Sequence, residues 1–311
     1  MSNPVWISEE QVRAALPMAP LIDLMAETLA AFSSGQVEQP VRTVIEAAPD
    51  AFFGCMPALI KTPRAMGAKL VTVFGSNAAK GLPTHLATII LLDPNTGALL
   101  AVMDGRYITE TRTAAVSAVS TRLLAREDAS VLALIGSGVQ AHSHLEALTL
   151  VRDFTDIRCW SPTRSHLDAF IADHPEVRAF ESAREAVDGA DVIALVTAST
   201  TPVINNDWVR DGAHVIAVGA CRPTHREMDP KLVARGRLFV DSRAAALKES
   251  GDVLMGVAEG FFTPEHIEAE LGALVRDSTK TRINSIEVTV FKSLGLAAED
   301  VASAQYVFSL I

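Results

Sequence analysis

Residues Ser130 to Ala147 read SVLALIGSGVQAHSHLEA, and this stretch decides the fold. An apolar run from Val131 to Ile135 ends at Gly136, Ser137 and Gly138, and a helical pattern starts at once. Strand, glycine turn and helix start together have the form of a dinucleotide fingerprint, with Ala141 in the third small position. Gly136 permits the tight turn, Gly138 lets the backbone approach a pyrophosphate, and Ala141 lets the helix sit close on the strand. Amides at the helix start then face the phosphates, where the dipole favours negative charge. The same pattern also serves as a plain βα turn, so the flanking sequence has to decide.

On the C-terminal side, apolar runs alternate with helical patterns. Strands are expected at Val131 to Ile135, Ile157 to Trp160, Val177 to Phe180, Val192 to Thr197, His214 to Val218 and Leu238 to Val240. Helical patterns at Ser165 to Asp173, Ser182 to Val187 and Pro230 to Ala234 fall between them. Such alternation marks βαβ units around a parallel sheet and puts the glycine turn on the first strand of a doubly wound domain. On the N-terminal side the rhythm differs. Ser8 reads as a helix cap with Gln11 in the capping-box position, and a second helix runs from about Leu21 to Phe32. Strand-like runs follow at Val41 to Ala47, Ala51 to Met56, Ala68 to Phe74, Leu86 to Leu92 and Leu99 to Met103, with turns at Asp93 to Gly97 and at Asp104-Gly105. This half is expected to be β-rich and antiparallel. Ile108 to Ala125 is helical, Ile286 to Phe291 a late strand, and Ala298 to Leu310 a final helix.

The fold class is therefore α/β: a Rossmann dinucleotide-binding domain at 116–295, plus a β-rich α+β dimerisation and substrate domain at 1–115 joined by the C-terminal helix 296–311. The 311 residues suit two domains, and 49% apolar against 21% charged residues supplies a large core. A net charge of −10 argues against a nucleic-acid partner. Cys55, Cys159 and Cys221 fit neither a disulfide framework nor a zinc spacing, so no metal is expected and a reducing, cytoplasmic setting is. MSNPVWISEEQ has no apolar signal core, and no apolar run has the length of a membrane helix.

The second Rossmann strand selects the cofactor. Dinucleotide sites specific for NAD carry an acid there, on the ribose hydroxyls. Here the strand runs into Ser161, Pro162, Thr163 and Arg164. Two hydroxyls and a guanidinium suit a 2′-phosphate, which favours NADP(H) over NAD(H). The plainer alternative makes Thr163 a helix cap and Arg164 a solvated charge. His142 and His144 lack a further ligand at metal spacing and read as ordinary helix residues.

Over nearly the whole chain, motifs in order resemble the ornithine cyclodeaminase and mu-crystallin family. They are QPVRT (39–43), AKLVT (68–72), LAVMDGRYIT (100–109), TRTAAVSA (111–118), IGSGVQA (135–141), VGACRP (218–223), DSRAAALKESGDV (241–253) and VFKSLG (290–295). The resemblance is nearest to the mu-crystallin branch, which has ketimine reductase activity, and it implies a homodimer. It places Arg42, Lys69 and Arg112 on the substrate carboxylate and Thr84 and His85 in the same pocket. It puts Gly136, Ser137, Gly138, Val139 and Gln140 on the pyrophosphate, and Ser161, Thr163 and Arg164 on the adenosine ribose and its phosphate. Thr197, Val218 and Ser293 fall around the nicotinamide half, and Glu249 and Asp252 in a segment that closes over the site. One departure stands out: cyclodeaminases and the related alanine dehydrogenases carry an Asp where this chain has Cys221. A thiol replaces an anionic partner only when its pKa is strongly lowered. That disfavours ornithine cyclisation and alanine oxidation more than imine reduction.

The implied chemistry is NADPH-dependent reduction of cyclic or N-substituted 2-imino acids, such as pyrroline- and piperideine-2-carboxylate, to L-amino acids. An arginine fork clamps the carboxylate, and orientation supplies much of the rate. Crowding by the arginines is expected to lower the pKa of Lys69, opening a proton-donor role beside that of a fixed charge. His85 is placed to position a water or the substrate nitrogen. The rivals are an NAD-dependent amino-acid dehydrogenase or cyclodeaminase, and a non-catalytic, crystallin-like binding protein.

Overall fold

The computed structural model describes residues 3–311. They fall into two compact units, 3–112 with Gly295–Ile311, and Thr113–Leu294. Among the described residues no single helix is long and apolar enough to cross a membrane.

The first unit holds β1 (Val5–Ile7), β2 (Val37–Glu38), β3 (Thr43–Ala48), β4 (Ala51–Lys61), β5 (Arg64–Phe74), β6 (His85–Leu92) and β7 (Leu99–Asp104). Their sheet has the order β1-β7-β6-β5-β4-β2, with β3 also on β4. It is antiparallel as expected, save that β1 joins β7 in parallel. Three-residue β1 has no periodicity to betray it, and β4 and β5 run well past the predicted Ala51 to Met56 and Ala68 to Phe74, to eleven residues each. Ser8 caps helix Glu9–Ala15 and Gln11 closes the capping box. The second helix is Met18–Ser33.

Alternation sorts the side chains of this sheet. Cross-strand partners Met56, Lys69, Ile89, Met103 and Ile7 form one row on the buried face. All are under 5% exposed, so a lysine stands in a line of core residues each worth about 1.5–3 kcal/mol on burial. Helix Ala297–Leu310 packs against β4, β5 and β6. At Gly67 a Cβ would collide with the Ile90 carbonyl oxygen on the neighbouring strand, so only glycine fits there. On the alternate positions the row Ile45, Phe53, Thr72 and Leu86 faces outward. Ile45, Phe53 and Leu86 are exposed, as is Trp6 at the far edge.

The second unit is an all-parallel sheet: β8 (Val131–Ile135), β9 (Asp156–Trp160), β10 (Val177–Ala179), β11 (Val192–Leu195), β12 (His214–Ala217), β13 (Arg237–Val240), β14 (Ile267–Glu270) and β15 (Thr289–Lys292). The order is β10-β9-β8-β11-β12-β15-β13-β14. Six of the eight stand where the sequence put strands. The polar stretch IEAE of β14 carried no strand signal, and the late strand begins at Thr289 rather than Ile286. That late strand enters between β12 and β13. The order reverses beside β8, and in such sheets ligands bind at the carboxyl ends of strands near the reversal.

Candidate active site

In the first unit, Lys69 and Arg112 converge on two acids of the last helix. Lys69 Nζ lies 2.7 Å from Asp300 Oδ2. Arg112, from helix Arg106–Leu124, donates from Nε to Asp300 Oδ1 at 3.1 Å and from Nη1 to Glu299 Oε2 at 2.7 Å. Lys69, Arg112, Glu299 and Asp300 are all buried. Glu299 also accepts the Leu296 amide at 3.1 Å, which fixes the first turn of its helix. Arg42 is half-buried and donates to the Gly295 carbonyl at 3.2 Å. Gly295 has a φ of +82°, and a side chain there would collide with the Arg112 guanidinium. Glycine thus serves both the left-handed turn and the close approach.

Burial, above all, pushes Lys69 down to about 8; Asp300 opposes it, and the charges of Arg112 and Arg42 add to the lowering. The expected direction is present, but desolvation leads and the arginine crowding is secondary. At neutral pH Lys69 is still mostly charged and close enough to neutrality to give up a proton. His85 lies at the start of β6 on the same sheet face as Lys69, since Val73 faces His85 and Lys69 faces Ile89. Burial first, then Lys69 and Arg112, pushes it down to about 4. Its ring is neutral at pH 7. Thr84 next to it is exposed.

Lys69, Arg112, Arg42 and His85 thus lie close enough to act on one another's charge. Glu299 and Asp300 were missed. Two carboxylates in the first turn of a helix normally signal only a favourable dipole interaction at a solvated surface. The available signal was their place four and five residues after the KSLG segment.

In the second unit the glycine turn has the expected form. Gly136 adopts a φ of +113°, and a Cβ there would lie 2.7 Å from the Val196 carbonyl oxygen. Gly138 caps helix Val139–Thr149 without a side chain, and the space where its Cβ would stand is open. Ala141 is wholly buried against the strand. Ser137 Oγ and Gln140 Oε1 are buried with no hydrogen-bond partner. An open backbone cradle beside the unpartnered Ser137 hydroxyl, a donor, fits a pyrophosphate. Val139 is exposed at the helix start.

At the end of β9, Ser161 is half-buried and Thr163 exposed. Thr163 stands at the N-cap of helix Arg164–Asp173, but its side chain makes no capping bond. Arg164 is exposed and pairs with Asp168 and Glu181, both at 2.9 Å. At the carboxyl ends of the next strands, Thr197 is tied to Glu227, and Val218 is buried. Ser293 Oγ donates to Asp241 at 3.2 Å. Cys221 is exposed and directs its thiol at the Val218 carbonyl. Asp252, expected in a closing segment, is buried and accepts the Glu227 and Met228 amides. His144 is a buried structural residue on Ser117, and His142 packs with His174.

Residues 3–311 match the family described as Ornithine cyclodeaminase/mu-crystallin family. The chain is 44% identical to the ketimine reductase mu-crystallin of Mus musculus over 98% of this chain and 96% of that one. It superimposes on the Delta(1)-pyrroline-2-carboxylate reductase of Thermococcus litoralis, solved with NADH and L-proline, with a TM-score of 0.95 and 34% identity, covering 98% and 96% of the two chains. An archaeal alanine dehydrogenase dimer with bound NAD gives a TM-score of 0.93 and 30% identity, covering 98% and 95%. The motifs read along the sequence, the two units and these likenesses agree: the chain belongs to the ornithine cyclodeaminase/mu-crystallin family.

Proposed function

We propose that this protein is an NADPH-dependent reductase of cyclic 2-imino acids, of the pyrroline- and piperideine-2-carboxylate type, yielding L-amino acids. The observation that carries the reading is the cluster of Lys69, Arg112 and Arg42 around Glu299 and Asp300. Two guanidinium groups and an ammonium gathered at one largely buried place suit a substrate carboxylate. The buried acids hold the cationic side chains in fixed rotamers, so little ordering remains for the substrate to impose. Lys69, with its ammonium brought down to about 8, is the group suited to protonate nitrogen. Neutral His85 orients the ring nitrogen or a water.

Gly136, Ser137, Gly138, Val139 and Gln140 would hold the cofactor's pyrophosphate, with Thr197, Val218 and Ser293 on its nicotinamide side; the cofactor supplies a hydride for the imine carbon. Ser161, Thr163 and Arg164 would receive a 2′-phosphate. A second reading, NADH use, draws support from Arg164, whose guanidinium already serves Asp168 and Glu181. The exposed apolar row of the first sheet supports a homodimer, and the acidic surface a cytoplasmic enzyme without nucleic-acid or membrane partners.

Cofactor oxidation by the purified protein with piperideine-2-carboxylate tests the proposal, with NADPH and NADH in parallel. Turnover with NADPH only is the expected result. Turnover with NADH alone keeps the reductase and removes the phosphate site. Binding of either cofactor with no turnover on any cyclic imino acid would overturn the function.

A further inference from the structure

Glu227 lies in the connection between β12 and helix Pro230–Arg235, and its side chain is wholly buried. Its Oε1 accepts the Thr197 amide at 2.8 Å and the Thr197 hydroxyl at 2.7 Å. Its Oε2 accepts the amides of Gly219 at 2.6 Å and Ala220 at 3.0 Å. Four donors therefore meet one carboxylate, and they come from the segments that leave β11 and β12 at their carboxyl ends. These two segments touch backbone to backbone, since a side chain at Gly219 would collide with the Thr197 carbonyl.

The arrangement requires an anion. An ionised carboxylate accepts in about four lone-pair directions, whereas a protonated one must donate through one of them. Three of the four partners are backbone N–H groups, which cannot accept. Around it stand Lys292 on β15 and Asp252 on helix Gly251–Ala258, with Cys221 in the same connection. Lys292 Nζ is 3.3 Å from Asp252 Oδ2, and Asp252 Oδ1 takes the backbone amide of Glu227 at 2.9 Å.

We propose that Glu227 is a positioning residue, whose ionised carboxylate clamps the segments at Thr197 and at Val218–Ala220 into the shape that receives the nicotinamide half of the cofactor. It acts through those segments and touches no reacting atom. The inference rests on the cofactor placement proposed above, and its test separates the two.

Glu227→Gln replaces one acceptor oxygen by an NH2 group that faces amide donors. NADPH titration by fluorescence is expected to show binding about 10- to 100-fold weaker, the range for losing one hydrogen bond to a charged group. Amide hydrogen exchange on the cofactor-free protein is expected to speed up at 197–199 and 218–221, with the rest of the sheet unchanged. Burial raises Glu227 to about 7, so wild-type affinity is expected to fall as pH drops through that value, a limb missing in Glu227→Gln. Thr197→Val removes one donor that stabilises the anion and moves the limb to higher pH, and it decides the matter if Glu227→Gln fails to fold. Wild-type protein that binds neither NADPH nor NADH would sink the cofactor placement. Wild-type binding matched by a folded Glu227→Gln, or by Thr197→Val with an unmoved limb, would overturn the inference alone.

Discussion

Asp300→Asn probes the Lys69 site most directly. The Lys69–Asp300 pair is 2.7 Å long, with side chains 2% and 0% exposed. Removing one partner of a buried pair costs about 3–5 kcal/mol, because the other charge stays desolvated. Lys69 has an escape: it can shed its proton. It already stands at about 8 with Asp300 holding it up. One pKa unit corresponds to about 1.4 kcal/mol, so even the lower figure takes Lys69 down by about two units, to about 6. A reaction that needs the ammonium then loses it at neutral pH. The expected kcat/KM for imine reduction at pH 7 is about tenfold below wild type, the charged fraction at a pKa one unit below the pH. The sign is fixed: the alkaline limb, near 8 in wild type, moves to lower pH, and activity recovers on acidification toward 5.5. A misfolded variant would not recover. The assay is a pH series of initial rates, with melting curves at each pH. An alkaline limb unmoved by Asp300→Asn would refute the role given to Lys69 and its acid partner.

Gly138→Ala is expected to leave the melting temperature within about 2 °C, since nothing occupies the space of the new Cβ, yet to weaken NADPH binding at least about tenfold by filling the phosphate cradle. His144 is pushed down to about 4 by burial, so the unfolded chain takes up the proton first, and stability falls as pH drops from 6.5 toward 4. His144→Gln should reduce that slope by about 1.4 kcal/mol per pH unit, measured by urea unfolding. Arg164→Ala should raise KM for NADPH about tenfold, with stability within about 0.5 kcal/mol because its ion pairs are exposed. Phe53→Glu, in the open apolar row, should convert a dimer to monomer in sedimentation; an unchanged sedimentation coefficient would remove that face from the interface.

Local signals carried much of this reading. Glycine at 136 and 138, the apolar runs of β8 to β13 and the Ser8 cap all act within a few residues, and a linear pattern records them. The convergence of Arg42, Lys69 and Arg112 was legible only through resemblance, because no spacing brings positions 42, 69 and 112 together. Glu299 and Asp300 were illegible for the same reason: Arg112 and Asp300 lie 188 positions apart, and burial by distant packing alone makes the acids part of the site. Glu227 hid in a polar connection, where an acid ordinarily faces water. Arg164 shows the opposite limit, since its type was read correctly but its neighbours Asp168 and Glu181 were not.

β15 has a consequence for how the chain is made. The strand lies between β12 and β13, yet it follows both in the sequence by some fifty residues or more. As the polypeptide leaves the ribosome, β13 and β14 have no sheet to join until residues 289–292 emerge, and the edge of β12 stays open meanwhile. Directly after them comes the helix that delivers Glu299 and Asp300 to Lys69 and Arg112. The final stretch therefore closes both halves of the protein at nearly the same moment of synthesis. A chain that stops short of residue 289 lacks both the strand that joins β12 to β13 and the acids that pair with Lys69, and exposes an open strand edge of the kind that aggregates.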